Sequence, residues 1–327
     1  MNHSKISIVI SMFNATNYIE TCLDSIFKQT FEDFEIVLVD DHSQDGSFEF
    51  VRDRFNDSRL KIFRNIYHAG EIETRNIGLD LTCDSEFVYF MDSRDVILPE
   101  TLEILINAAE DSDVICMNSK SVFDGNDLHK ISAKNSEPRF MSDNLIERLQ
   151  FEFIEQQSLN DFLSRMYRRD FLFKNDIRFS EIDLLTHLAI IIAAKKIRII
   201  DFGGYIHQQN LDEKISPEEF LKHTLGSLPQ MISYMEKFFA KKNLPRISRE
   251  NQIILKSYVV KSLTIDSFVD STLPFEVKDQ IVRDFVSQPK EIDPSLICAV
   301  IHSFAILSSW HLNRKLNQTC IFELNPE

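Results

Sequence analysis

The sequence predicts an α/β protein with a doubly wound, mostly parallel sheet flanked by helices, followed by an all-helical C-terminal domain. Three observations carry this. Short β-branched apolar runs alternate with helical periodicities through the first two hundred residues. After residue 215 the β pattern stops and only helical spacing remains. The charge changes at the same place: residues 1–215 hold 38 acidic and 23 basic groups, and so the whole net charge of −15, whereas residues 216–327 hold 13 of each. The expected domains are therefore 1–215 and 216–327.

Ile6 to Ile10 is a β-branched run suited to a buried parallel strand. Tyr18, Ile19, Cys22, Leu23 and Ile26 follow at helical spacing, with Asn14 and Thr16 as candidate caps. Residues 34–39 form a second strand ending in Asp40 and Asp41, and Phe48, Val51 and Phe55 mark the next helix. Residues 60–63 are a short strand, 71–81 a helix, and 87–91 a strand ending in Asp92. Pro99 opens a helix whose apolar face is Leu102, Leu105 and Ile106, and 114–117 is a further strand. Residues 120–137 read as a polar loop and 144–157 as a helix. The stretch 162–173 is mixed. Asp183 opens an apolar helix to about residue 194, residues 197–200 are a strand, and Tyr205 to His207 form another strand or its end. From Ser216 the helical stretches are 220–239, 249–269, 274–286 and 294–316.

Composition narrows the function. The chain has 327 residues with 43% apolar and 27% charged, enough for a sizeable core and two domains. Its acidic balance argues against nucleic acid as a partner. With 7 glycines it offers neither a Walker loop nor a GxGxxG loop. The cysteines, 5 in all and widely spaced, form no zinc pattern and suit a reducing compartment. The apolar run near the N-terminus is too short for a secretory signal, and 296–307 is too short to span a bilayer. The expected location is cytoplasmic, either free or peripheral on the inner face of the membrane, where 296–307 is the candidate contact.

In doubly wound sheets ligands bind beyond the carboxyl ends of the strands. Three polar clusters converge there: Ser11-Met12-Phe13-Asn14, Asp40-Asp41, and Asp92-Ser93-Arg94-Asp95. With Gln29-Thr30-Phe31-Glu32-Asp33-Phe34-Glu35, the V-D-D-x-S-x-D block from Val39 to Asp45, and the run from Gly70 to Gly78 that follows the family's G-x-x-x-A-R-N-x-G with Thr74 at the alanine, these clusters resemble the family 2 glycosyltransferases of the GT-A fold. The likeness is specific over about ninety residues, weakens towards residue 216, and is absent from the helical third.

The resemblance implies an inverting transfer of a sugar from a nucleotide donor, a UDP-sugar, to a hydroxyl of a surface glycan or lipid-linked acceptor. Donor binding would fall to Ser11, Phe13, Asn14, Asp41, His68, Arg75, Asp92, Ser93, Arg94 and His207, with Asp41 accepting the N–H of a uracil and Arg75 meeting the nucleotide. Asp183, with Glu181 as a substitute, would be the general base. The family's metal-binding acid is replaced here by Arg94. Either the guanidinium pairs with the diphosphate without metal, the favoured outcome, or Asp95 binds Mn²⁺ or Mg²⁺, or the protein is a catalytically degenerate relative that binds a sugar nucleotide or a partner. Ser11 replaces the family's proline. The helical domain would serve oligomerisation, acceptor docking or packing.

Overall fold

The computed structural model describes residues 4–122, 138–141, 162–179 and 183–208, and four isolated positions beyond them. The expected helix at 144–157, the helical stretches from residue 216 onward and the apolar run 296–307 lie outside the described residues. The chain divides into two compact units, residues 1–148 with 155–213 and residues 149–154 with 214–327; the fold below is that of the first.

Nine strands build one sheet among the described residues. They are β1 (Ile6–Met12), β2 (Phe34–Asp40), β3 (Leu60–Arg64), β4 (Phe87–Asp92), β5 (Val96–Ile97), β6 (Val114–Val122), β7 (Arg139–Phe140), β8 (Arg165–Arg168) and β9 (Ile197–Gln208). The helices are α1 (Ile19–Phe27), α2 (Ser47–Arg54), α3 (Glu71–Leu81), α4 (Thr101–Ala109), α5 (Arg169–Lys174) and α6 (Asp183–Ala193). The strand order is β3-β2-β1-β4-β8-β6-β9-β5, with β7 added on β9. Strands β3, β2, β1 and β4 run parallel, as do β6 and β9, whereas β8 lies antiparallel between β4 and β6.

The core follows from the apolar runs. Every residue of β1 and β2 is buried, because helices cover both faces of a parallel sheet. In α1 the buried residues Ile19, Cys22, Leu23 and Ile26 recur at helical spacing, and each large apolar side chain contributes about 2 kcal/mol on burial. Helix α3 crosses β1 and β2 closely at Gly78, where an added Cβ would stand 2.4 Å from Cγ1 of Val9.

Several motif residues turn out to be joints between elements. Gln29 donates from Nε2 to the Leu98 carbonyl at 2.7 Å and accepts the Leu102 N–H at 3.0 Å, so it satisfies a first-turn amide of α4. Asn76 exchanges two hydrogen bonds with the backbone of Phe179, at 3.0 and 2.9 Å. Glu35, 3% exposed, accepts from Ser7 at 2.5 Å, from Lys61 at 2.5 Å and from the Cys83 amide at 2.9 Å. Burial pushes its carboxyl up, but the bonds from Lys61, Ser7 and Cys83 outweigh that and hold it at about 2.

Four features differ from the sequence expectation. The mixed stretch 162–173 contributes β8, which makes the sheet mixed beyond β4. Strands β5 and β7 have two residues each, too few to show a period. The polar stretch expected as a loop from residue 120 continues β6 to Val122. The two runs at 197–200 and 205–207 are one twelve-residue strand. Gly204 sits inside it because the Phe202 ring and the start of α4 leave no room for a side chain: a Cβ would lie 2.2 Å from Phe202 Cε1 and 2.6 Å from Thr101 Oγ1, and the Gly204 carbonyl accepts the Leu98 N–H at 2.9 Å.

Gly78→Ala is expected to destabilise the fold by about 1–3 kcal/mol through overpacking between α3 and β1. Urea unfolding measures it, and an unchanged midpoint would contradict the close crossing.

Candidate functional site

The strand order reverses at β1, which has β2 on one side and β4 on the other, so the carboxyl ends of these three strands leave a crevice. Register sets its floor: Ser11 stands opposite Asp92 on β4 and Val39 on β2, and Met12 opposite Asp40. A cleft of about 330 Å³ opens there. Its lining includes Ser11, Phe13, Asn14, Asp41 and His68, and from the turn after β4 Asp92, Ser93 and Arg94. Eight of the ten expected donor-binding residues thus share one cavity. Met12, Tyr18, Glu71 and Thr74 complete the wall.

The loop after β1 is shaped by the loop after β2. Asn14, with φ of 49°, donates its N–H to Ser43 Oγ at 2.9 Å and accepts the Gln44 N–H at 2.9 Å. The amides of Ala15 and Thr16 bond to Ser47 Oγ and Asp45 Oδ2, at 2.8 and 3.0 Å. Burial raises the Asp45 carboxyl, and the bonds from Ser47 and Thr16 bring it down to about 2. The V-D-D-x-S-x-D block is therefore mostly a clamp. Asp40 points inward, where it accepts the Ser43 N–H and pairs with Arg64 at 3.2 Å; burial keeps its carboxyl above the ordinary value.

Asp41 reaches the cleft but is already engaged. Oδ1 accepts from Asn65 Nδ2 and the Ala69 N–H, both at 2.8 Å. Oδ2 accepts from the Gly70 N–H at 2.9 Å and lies 2.8 Å from His68 Nδ1. Burial raises this carboxyl, and the bonds from Asn65, Ala69, Gly70 and Thr74 overcome it and hold it below the usual range. Asp41 thus lines the cleft with its carboxylate already hydrogen-bonded by Asn65, Ala69 and Gly70. The His68 ring stacks on Phe13 with centroids 4.2 Å apart. Phe13 remains 46% exposed, and Ile66 and Tyr67, at 91% and 71%, stand out from the same loop.

The turn after β4 forms the opposite wall. Arg94 donates its N–H and Nε–H to Asp92 Oδ1, at 2.9 and 3.2 Å. The Asp92 charge raises the Arg94 guanidinium above its ordinary value, burial opposing it. Asp95 is turned away from the cleft and is 4% exposed. Its Oδ2 accepts from Tyr205 Oη at 2.7 Å and lies 3.0 Å from His207 Nδ1, while Oδ1 accepts the Gln208 N–H at 3.0 Å. Both oxygens are spent on β9. This corrects Asp95 as a metal ligand and places His207 behind the turn rather than on the cleft wall. The remaining acid, Asp92, faces a guanidinium, and among the described residues no group of three or more His, Cys, Asp or Glu is arranged to hold a metal. Among the described residues, the carboxylates of this turn do not fit a divalent ion.

Arg75 also departs from expectation. Its side chain is buried, pairs with Glu71 on the preceding turn and lies 4.5 Å over the Phe162 ring. Glu71, which the motif leaves as an unspecified position, is the residue that reaches the cleft, because α3 starts at the cleft rim and its first turn faces inward. Asp183 is the first residue of α6, and Glu181 lies outside the described residues.

A doubly wound sheet with its cleft over β1, β2 and β4 places the chain in the GT-A class of α/β folds. Within that class, the family described as Glycosyl transferase family 2 matches residues 7–174, just over half of the chain, and the chain belongs to it. It is 26% identical over 213 residues to the uncharacterized glycosyltransferase EpsJ of Bacillus subtilis, covering 63% of this chain and 61% of that protein. In fold it is similar to S. aureus TarS 1–349 solved with UDP-GlcNAc, at a TM-score of 0.59 and 23% identity over 86% of this chain and 80% of that one. It is also similar to the mannosyltransferase PcManGT of Pyrobaculum calidifontis solved with GDP-Man and Mn²⁺, at a TM-score of 0.51 and 13% identity over 95% and 88%. No helix among the described residues is long and apolar enough to cross a membrane.

Asp41→Ala is expected to cost about 1–3 kcal/mol, because it leaves the Ala69 and Gly70 amides without their acceptor. Hydrogen exchange checks it: these two amides should gain more exchange than those of β1, and unchanged protection would show that Asp41 does not hold the loop.

Proposed function

We propose that this chain is an inverting glycosyltransferase that moves a sugar from a UDP-sugar to a hydroxyl of a surface glycan or lipid-linked acceptor, working without a bound metal. The observation that carries the reading is Arg94: a guanidinium on the cleft wall, paired with Asp92, at the position where the family's pattern has an acid. A leaving diphosphate develops negative charge, and a planar cation with several N–H donors stabilises it in place of an ion. The open face of Phe13 offers a surface for a flat base. A base N–H reaches Asp41 by displacing the half-exposed His68 ring, whose Nδ1 stands 2.8 Å from Oδ2.

In this reading Asp183 takes the proton of the acceptor hydroxyl. The acceptor oxygen bonds to the anomeric carbon as the bond from that carbon to the diphosphate oxygen breaks, and the configuration inverts. The position of Asp183 at the start of α6 supports a group fixed by a helix end. TarS, a fold neighbour solved with UDP-GlcNAc, supports the choice of a UDP-sugar. The sugar would be handed over on the cytoplasmic side, and residues 216–327 would dock the acceptor or a second copy.

A panel of UDP-sugars, assayed for transfer and for hydrolysis, tests this. Transfer is expected to persist in EDTA and to fall about a hundredfold or more in Arg94→Ala. Activity abolished by EDTA and restored by Mn²⁺ would overturn the metal-free mechanism. UDP binding without any turnover would instead support the second reading, a degenerate sugar-nucleotide-binding relative, which the engagement of Asp92 by Arg94 also favours. Asp183→Asn is expected to keep UDP affinity while kcat falls at least about a hundredfold; near-normal kcat would remove Asp183 from the base role.

A further inference from the structure

At the amino ends of β2 and β3, away from the cleft, three reactive side chains meet for no purpose the transfer reaction supplies. Lys61 Nζ lies 2.8 Å from Cys83 Sγ and 2.5 Å from Glu35 Oε2. Cys83 Sγ lies 3.0 Å from the same Glu35 oxygen, and its amide is fixed on Oε1 at 2.9 Å. Glu35 is buried, so it holds both partners in one geometry. Cys83 is half-buried, whereas Cys22 and Cys116 are fully buried. The Lys61 side chain is 40% exposed, so small oxidants reach the pair. A structural ion pair needs only Lys61 and Glu35; the amine held against the thiol of a half-buried cysteine is additional.

We propose that Lys61 and Cys83 form a peroxide-responsive covalent crosslink. Cys83 loses its proton to solvent, and the thiolate attacks one oxygen of hydrogen peroxide. The S–O bond forms and the O–O bond breaks. The adjacent Lys61 ammonium gives a proton to the departing hydroxide, which leaves as water. Sulfur is oxidised by two electrons and the peroxide reduced by two, giving a sulfenic acid beside a now uncharged amine. That amine attacks the sulfur, the N–S bond forms, the S–O bond breaks, and the hydroxyl leaves as water with the amine's proton. The sum is one thiol, one amine and one peroxide giving an N–S link and two waters. A second peroxide inserts one oxygen between nitrogen and sulfur with release of one more water.

Glu35 is the positioning residue of this site. The link spans β3, the loop from Asn65 to Gly70 that Asp41 holds, and the whole of α3, so it closes a covalent loop around one wall of the cleft. Such closure restricts the unfolded chain and raises the unfolding midpoint.

The test uses the full chain, reduced, freed of reductant and treated with a few equivalents of hydrogen peroxide near neutral pH. Remaining thiols are then alkylated. The expected result is a species lighter by about 2 Da, or heavier by about 14 Da with oxygen inserted. Peptide mapping should join the Lys61 and Cys83 peptides, trypsin should no longer cut after Lys61, and dithiothreitol should restore the starting mass. Lys61→Arg keeps the charge and removes the primary amine; it should leave Cys83 as a dimedone-reactive sulfenic acid with no joined peptide. Cys83→Ser should show neither product. Full alkylation of Cys83 after peroxide, or the same over-oxidised product in wild type and Lys61→Arg, would overturn the proposal. The wild-type mapping decides the question even where a variant folds poorly.

Discussion

The carboxylate of Asp41 is the constraint on which the cleft depends. It sits at the end of a fully buried strand and gathers three donors from one loop, Asn65, Ala69 and Gly70, with the His68 ring beside it. A buried anion is tolerated only where hydrogen bonds replace its water, and here those bonds come from backbone and side chains that would otherwise wander. Their number fixes where α3 begins, since Gly70 precedes its first residue. The start of α3 in turn brings Glu71 and Thr74 to the cavity, and the seat of His68 sets it against Phe13.

A second level of order comes from pairs of loops that complete one another. The turn after β1 has few bonds of its own and takes its donors and acceptors from Ser43 to Ser47. Helix α4 receives an acceptor for its first turn from Gln29, a residue just after α1 in the first βα unit. Asn76 fastens the segment around Phe179 to α3, and Gly78 lets α3 lie on β1. Each joint links elements far apart in sequence, so the strand ends are held in mutual register by side chains and not by the sheet alone.

This accounts for what was legible in the sequence. The strands from β1 to β4 were readable because burial on both faces demands continuous apolar runs, and α3 was readable to its ends. Strand β8 was not, because its alternation is only four residues long and its neighbours are distant in sequence. Eight of the ten expected donor-binding residues line the cavity, because a doubly wound sheet brings its strand ends to one rim. The roles were less legible than the positions. Arg75 read as a ligand-facing cation, yet an arginine on a helix goes to whichever acid and ring its face offers, here Glu71 and Phe162. Asp95 read as a spare acid, because sequence does not show that Tyr205, His207 and Gln208 come to meet it. Glu71 gave no signal beyond lying directly after Gly70.

The turn from Asp92 to Asp95 owes its shape to its ends. Asp95 is bolted to β9 through three groups, and its N–H returns to the Asp92 carbonyl at 3.1 Å. Residue 94 lends the turn one backbone N–H, which any residue except proline supplies. The backbone hydrogen bonds of the turn thus do not depend on the side chain displayed at that position, although the Arg94 Nε–H adds a second bond to Asp92. A change of side chain at residue 94 therefore alters the charge that the cleft offers a ligand while leaving the backbone bonds from residues 94 and 95 to Asp92 in place.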